Sequence, residues 1–358
     1  MKAMVLKEFR QLRRDRRTVA MMILMPLLLL VIFGYAARFD VEEIRTVLVG
    51  PGAAVAQDQL PETFEVEEVR PGDGRAAAVD SLRRGDADAA VVTGSRPEIL
   101  LDGSELFSAQ AAVRALGQAA RSGGELPVGE IEVNVLFNEG LETSAVMVPA
   151  IAGMIMVFIG TIITSLGVVR ERQAGTLEQL AVMPLKPRDV FIGKIAPYFL
   201  IGLFDLVLII GVGVWLFDVP FEGNVLTLAL GALLFLFVAL GLGILISSVS
   251  ENQGQAIQLA LMTLLPQVLL SGMIFPVRSM AAGVRWIAYG LPLTYFVQIA
   301  RGVMLKASPI DSLWFPLLML GILGAVIFGL AVLRFRGFLA PSPRRASSKP
   351  RPALGEAR

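Results

Sequence analysis

Six runs of mostly apolar residues divide the chain, at about Thr18–Ala37, Val146–Val168, Ile195–Phe217, Val225–Ser247, Ala256–Phe275 and Ser312–Leu333. Each meets the roughly 20 residues needed to cross a bilayer. Their apolarity is continuous, without a period of two, so they are expected to be helices that satisfy their own backbone amides in lipid. Between the first two runs the pattern changes. Ile44–Gly50, Phe64–Val69, Ala89–Thr93, Glu98–Leu101 and Glu130–Asn138 read as strands, while Ala76–Arg84 and Ser104–Arg121 carry helical spacing. The fold class expected is an α-helical polytopic membrane protein with six transmembrane helices and a small α+β domain over 38–145.

The remaining connections differ in kind. Asp218–Asn224 and Ser248–Gln255 are short turns, but Pro276–Asp311 is too apolar for a free loop and too interrupted by Pro276, Pro292 and Pro309 to span. A re-entrant pair of short helices fits it, with the aromatics Trp286, Tyr289, Tyr295 and Phe296 bringing Trp and Tyr to headgroup level. At the other end of the chain, Val5, Leu6, Phe9 and Leu12 fall on one face of a basic helix over residues 1–17. That helix suits the lipid interface, although positive charge beside a first span explains the same residues. Gly34 and Ala36 supply small residues near a signal-peptide cleavage position. Against cleavage, the run of residues 18–37 exceeds a usual signal core and five more spans follow it.

Composition strengthens the membrane reading: 55% of residues are hydrophobic and mean hydropathy is +0.67. The chain has neither Cys nor His, which excludes thiolate or imidazole metal sites, Cys nucleophiles and Ser-His-Asp triads. A net charge of +1 conceals a strong asymmetry. Residues 38–145 hold nine Arg and no Lys against twenty acids, whereas residues 1–17, the 170–194 loop and the Pro/Ser-rich tail at 336–358 are basic. The tail composition reads as disordered. The positive-inside rule then places both termini and the 170–194 loop in the cytoplasm, with 38–145 outside.

Chemistry concentrates in that loop. Arg170-Glu171-Arg172 ends a helix, Gly175 turns the chain, and Thr176 can cap a short helix in which Leu177, Leu180 and Ala181 share a face. Met183-Pro184 closes it, and Pro187 restarts the chain toward Lys194. A surface helix flanked by rigid turns can pass force from a cytoplasmic partner into two spans; a solvated interfacial helix without a partner would have the same pattern. No phosphate-binding loop is present, because Arg188 stands where the first glycine ahead of Gly193-Lys194 would be required. Inside the third run, Asp205 is a costly intramembrane carboxylate, either a coupling site for an ion or a structural hydrogen-bonding group. Gln258, Gln267 and Gln298 can either hydrogen-bond between helices or face a lumen. Asp102-Gly103-Ser104 reads as strand-exit and helix-cap chemistry.

The residues RERQAGTLEQL of Arg170–Leu180, Pro184 and the Gly193–Tyr198 segment resemble the coupling-helix region of ABC-2 type transporter permeases. Lys7-Glu8-Phe9 with Arg14–Arg17 and Pro26 is similar to the family's entry helix. Leu270–Pro276 and Leu291–Tyr295 are similar to its fifth span and re-entrant segment. The large domain after the first span resembles that of the drug-efflux-like subgroup. The resemblance implies a multi-pass protein of the bacterial inner membrane that pairs with a second, identical or paralogous permease chain. It implies cytoplasmic ATP-binding subunits docked on the 170–194 segment. ATP and Mg would be bound by those subunits, with no cofactor, metal or nucleic acid held by this chain. In that arrangement Glu178 and its neighbours meet the ATPase, while Arg170 and Glu171 link the contact to the second span.

The function expected is therefore an export permease for a hydrophobic or amphipathic substrate, not itself an enzyme. The alternative is a membrane scaffold that transmits ATPase motion to the 38–145 domain, or to an outer partner docked there, without moving a solute. Ion coupling through Asp205 is a third reading. Purified alone, the chain is expected to hydrolyse no ATP above the background of an empty-membrane preparation; robust turnover in a phosphate-release assay would remove the two-component reading.

Overall fold

A computed structural model describes residues 43–121, 132–175, 187–274 and 276–339. The expected entry helix, first span and surface helix closed by Met183-Pro184 lie outside those residues, as does the expected disordered tail from 340 on; its first residues, 336–339, instead continue the last helix. The described part begins with a five-stranded sheet: β1 (Ile44–Val49), β2 (Phe64–Arg70), β3 (Ala89–Val92), β4 (Glu98–Asp102) and β5 (Glu132–Leu136), in the order β2-β1-β3-β4-β5. Only the β3–β4 pair is antiparallel. A short helix α1 (Ala53–Ala56) follows β1, α2 (Arg75–Arg84) joins β2 to β3, and α3 (Leu106–Arg121) precedes β5.

Alternation along the strands explains the layering. Ile44 and Leu48 of β1, with Val91 and Ile99, face a core completed by Ala109, Ala112 and Leu116 of α3. Val47 and Val49, with Ala90 and Leu100, face a second core completed by Ala78 and Leu82 of α2. Helices on both faces of the central strands account for their almost unbroken apolarity. One boundary differs from the sequence expectation: α3 begins at Leu106, not Ser104. The Ser104 hydroxyl is committed instead to Asp102 Oδ1, at 2.6 Å, and that oxygen also accepts from Ser104 N at 3.0 Å. The two residues form a strand-exit turn ahead of the helix.

Seven further helices follow: α4 (Thr143–Gln173), α5 (Pro187–Leu216), α6 (Val225–Val249), α7 (Gln253–Leu270), α8 (Ala282–Tyr289), α9 (Pro292–Met304) and α10 (Trp314–Leu339). Among the described residues, four helices are long and apolar enough to cross a membrane: α4, α5, α6 and α10. The helix α7 covers the fifth expected run and is capped at its start by Asn252 Oδ1, which accepts from Gln255 N. It stops at Leu270, short of the expected Phe275. Gly272 takes a φ of +84° and the Ser271 hydroxyl accepts from Met273 N, so the backbone leaves the helix one turn before Pro276.

The short helices α8 and α9 occupy the segment read as re-entrant, but the aromatics divide between two environments. Trp286 is 78% exposed and Tyr289 partly so, whereas Tyr295 and Phe296 are buried. In the bundle centre Phe296 stacks on Phe235 of α6 at 4.6 Å between ring centroids. Burial of nearly every residue of α9 makes it a core element between α4 and α6.

The helix α4 contains a π-helical stretch at Ile159–Ile163, where it crosses α6. A side chain on Gly160 would meet Ala239 Cβ at 2.5 Å, and one on Gly243 would meet the Gly160 carbonyl at 2.3 Å. Backbones approach this closely only where Cβ atoms are missing. By contrast, α5 and α10 expose most of their apolar surface, including Leu200, Phe204 and Val207 on α5 and Leu330 and Leu333 on α10. Such surface fits lipid or another protein segment, not water. Gly243→Val is expected to separate α4 from α6 and destabilise the bundle by about 1–3 kcal/mol, read as a lower midpoint of thermal unfolding in detergent than for Gly321→Val, where the added side chain meets open space.

Candidate functional site

Among the described residues, α4 joins the sheet to the turn at Arg170–Gly175. At about 1.5 Å per residue, its 31 residues cover roughly 46 Å. It begins beside the sheet: Asn138 Nδ2 donates to the carbonyls of Gly103 and Glu142, while Asn138 Oδ1 accepts from Glu142 N at 2.9 Å. It ends with Arg170, Glu171, Arg172 and Gln173 in its last turn. Pro149 lies inside the helix nearly two turns after its start, and the helical backbone runs on through the π-helical stretch to Gln173.

The far end is closed as the sequence indicated. Gly175 adopts a φ of +72°, Ala174 N donates to the Arg170 carbonyl at 3.0 Å, and Gly175 N donates to the Arg172 carbonyl at 3.1 Å. Arg170 is exposed and Glu171 partly so. The structure adds a contact with no local sequence signal: Gln253 Nε2 donates to Gln173 Oε1 at 3.0 Å, across 80 residues. The turn between α6 and α7 thus sits beside the end of α4. Thr176, Leu177, Glu178, Leu180 and Pro184 lie outside the described residues.

At the sheet end, Glu222 N donates to the Met304 carbonyl at 2.9 Å, bringing the α5–α6 turn against the end of α9. Sheet, α5–α6 turn and α9–α10 turn therefore gather at one end of the bundle, and the Arg170–Gly175 turn with Gln253 at the other. Asp205 lies mid-way along α5 and is half-buried, away from both ends. Among the described residues no hydrogen bond or ion pair reaches it. Gln267 is buried with only a 3.4 Å bond from its Nε2 to the Thr263 carbonyl, and the side-chain oxygens of Gln258 and Gln267 have no partner among the described residues. Gln298 is exposed on α9. These polar groups do not converge on one site, and among the described residues no group of acids is placed to hold a metal.

A buried guanidinium was missed by the sequence reading. Arg301 of α9 donates to the Val146 carbonyl of α4 and the Met273 carbonyl beyond α7, both at 3.4 Å, and its Nη1 lies 4.0 Å from Glu105. Glu105 keeps an exposed edge, but desolvation holds its carboxyl above the usual range against the opposing pull of Arg301 and Lys306. The available signal was an Arg in an otherwise apolar helix, since a charge so placed needs partners from elsewhere in the fold.

A long helix links the sheet domain to the turn at the opposite end of an apolar bundle, and sequence comparison supplies the family. The profile of the ABC-2 family transporter proteins matches residues 16–333. The chain belongs to the ABC-2 transporter family. It is 30% identical over 334 residues to the probable multidrug ABC transporter permease YbhS of Escherichia coli K12, covering 86% of this chain and 89% of that protein. To the probable multidrug ABC transporter permease YbhR of the same organism it is 28% identical over 358 residues, covering 93% and 97%. The inner membrane transport permease YhhJ is 31% identical over 221 residues, covering 59% and 56%. The protein is thus the transmembrane permease subunit of an ABC transporter, a multi-pass membrane protein whose family places the ATPase on separate subunits.

Membership narrows the reading of Asp205. Permeases of this family are subunits of ABC transporters, and among the described residues no contact supplies Asp205 with a relay partner. Asp205→Asn is expected to retain at least half of ATP-dependent transport in reconstituted vesicles, with no change in its pH dependence. Abolished transport would restore the ion-coupled reading.

Proposed function

We propose that the chain is the membrane half of an ATP-driven exporter that moves a hydrophobic or amphipathic substrate outward. The observation that carries this reading is the single helix α4, which joins the sheet domain to the Arg170–Gly175 turn without a break. A rigid element of this length can convert a push at its charged end into displacement at its far end. The surface helix read over Thr176–Pro184, with Leu177, Glu178 and Leu180, is the docking point for a cytoplasmic ATP-binding subunit. Arg170 and Glu171 connect that point to α4. ATP and Mg belong to the partner subunits, and a second permease chain completes the path, facing some of the apolar surface left open on α5 and α10.

Six spans, both termini cytoplasmic and the sheet domain outside in the manner of an inner-membrane protein complete the reading. It is supported by the basic 170–194 loop, by the Lys-free, acid-rich 38–145 segment, and by the gathering of sheet, α5–α6 turn and α9–α10 turn at one end. The names of YbhS and YbhR, as probable multidrug permeases, favour amphipathic small molecules as cargo. The same α4 connection also serves the second reading, a transmitter that moves the sheet domain, or an outer partner on it, without carrying solute.

Flux separates the two. In inverted membrane vesicles containing the permease and its ATP-binding subunits, ATP is expected to drive accumulation of ethidium, an amphipathic fluorescent cation, or of fluorescent phospholipid. Hydrolysis with neither flux would favour the transmitter. Glu178→Lys is expected to reduce flux at least tenfold while the permease still assembles in the membrane, as judged by size-exclusion chromatography; unchanged flux would move the coupling contact elsewhere.

A further inference from the structure

The sheet domain is tied to the bundle a second time, far from its covalent connection to α4. Lys306, in the turn between α9 and α10, is buried and ion-paired with Asp102 Oδ2 at the end of β4; Asp102 itself is 0% exposed. The same ammonium donates to the Leu82 carbonyl at 3.1 Å, and the Ser308 hydroxyl donates to the Arg83 carbonyl at 2.7 Å. Leu82 and Arg83 lie in the last turn of α2, so a cation and a hydroxyl more than 220 residues away add to the capping of that turn's carbonyls, at the end where the helix dipole favours positive charge. Lys306 Nζ also lies 6.0 Å from the centroid of the Phe137 ring, and Arg84 pairs with Asp311 at 2.9 Å.

Two backbone features mark the same junction. Ala307, next to Lys306, and Phe137, against it, hold positive φ angles of +50° and +68°. Residues with a Cβ stay in that region only where the surroundings hold them. Arg301 reinforces the arrangement from inside the bundle, reaching α4 and the end of α7 while facing Glu105. Every interdomain charge pair here sets a cation or anion of the α9–α10 segment against its opposite on the sheet domain.

We propose that Asp102 and Lys306, supported by Glu105 and Arg301, form a latch that fastens the sheet domain to the α9–α10 turn, so that domain, outer end of α4 and α9 move as one body. The domain then bridges the helix that receives the cytoplasmic push and the short helices at the outer end of the bundle. Asp102 and Lys306 are positioning residues: they touch no substrate, and they determine whether motion of α4 reaches α9. This role rests on the exporter reading for its use in transport, but the latch itself can be measured without nucleotide.

The absence of native cysteine lets paired spin labels be placed without background, at the exposed positions Val113 on α3, Ile310 beyond α9 and Trp215 at the end of α5. In the full-length permease in nanodiscs, the Val113–Ile310 distance distribution is expected to be narrow. It should broaden at least twofold in Asp102→Asn/Lys306→Met, a pair that leaves no buried charge unpaired and so preserves the domain, as checked by circular dichroism. Lys306→Arg should keep it narrow. A distribution that stays narrow in the double variant overturns the latch.

With the ATP-binding subunits present and ATP–vanadate added, the Val113–Ile310 distance is expected to stay fixed while Val113–Trp215 changes, and the double variant should lose at least tenfold in ATP-driven ethidium flux. A changed Val113–Ile310 distance, or no change in either, overturns common motion. If no ATP-binding subunit associates at all, the exporter reading fails, and the nucleotide-free comparison still decides the latch.

Discussion

Hydrocarbon offers no hydrogen-bond partner to a peptide group, and each unsatisfied amide or carbonyl there costs several kcal/mol. Among the described residues, every segment long and apolar enough to cross a membrane is accordingly a helix, and irregular backbone is confined to the two ends of the bundle or to its protein-covered interior. The turn that ends α7 illustrates the second case. Met273 N is satisfied by the Ser271 hydroxyl and the Met273 carbonyl by Arg301, so the break at Gly272 is covered by protein. The constraint also forces the sheet out of the bundle, because its open edges at β2 and β5 would be untenable in lipid.

Helices alone do not fix their own spacing, since lipid is as apolar as their side chains. In this protein the close crossing of α4 and α6 at Gly160 and Gly243, and the stacking of Phe235 on Phe296, do so. The π-helical turn at Ile159–Ile163 lies at the same crossing. It allows α4 to adjust its face toward α6 while remaining continuous to Gln173. In the transport reading we propose, that continuity is what would carry displacement from the Arg170 turn to Asn138 and the sheet, since a broken helix would absorb it locally.

Much of this was legible because its causes are local. Short apolar runs, and alternation in Glu130–Asn138, located the strands of the sheet to within a residue or two; that β1, β3 and β4 are covered on both faces became visible only in the fold. Gly175 ends α4, and Asp102 with Ser104 forms a strand-exit turn. The boundary errors have local causes as well: Ser104 turns back to Asp102 instead of starting α3, and Gly272 ends α7 before Phe275. Placing Tyr295 and Phe296 with Trp286 failed for a different reason. A one-dimensional aromatic cluster cannot reveal that α9 inserts between α4 and α6, where its rings are needed as core.

The sequence by itself determined that this is a helical membrane protein without thiol or imidazole chemistry, in which a sheet domain is inserted after the first apolar run and a basic turn follows the second. Composition, period and charge balance are properties that no packing arrangement can alter. Tertiary structure alone decided which distant groups meet: Lys306 with Asp102 and the end of α2, Arg301 with Val146, Met273 and Glu105, and Gln253 with Gln173. For the buried Asp102, Arg301 and Lys306, the need for a partner can be read from burial. The partner's identity cannot, because it is set by how helices and sheet come together across 28 to more than 200 residues of chain.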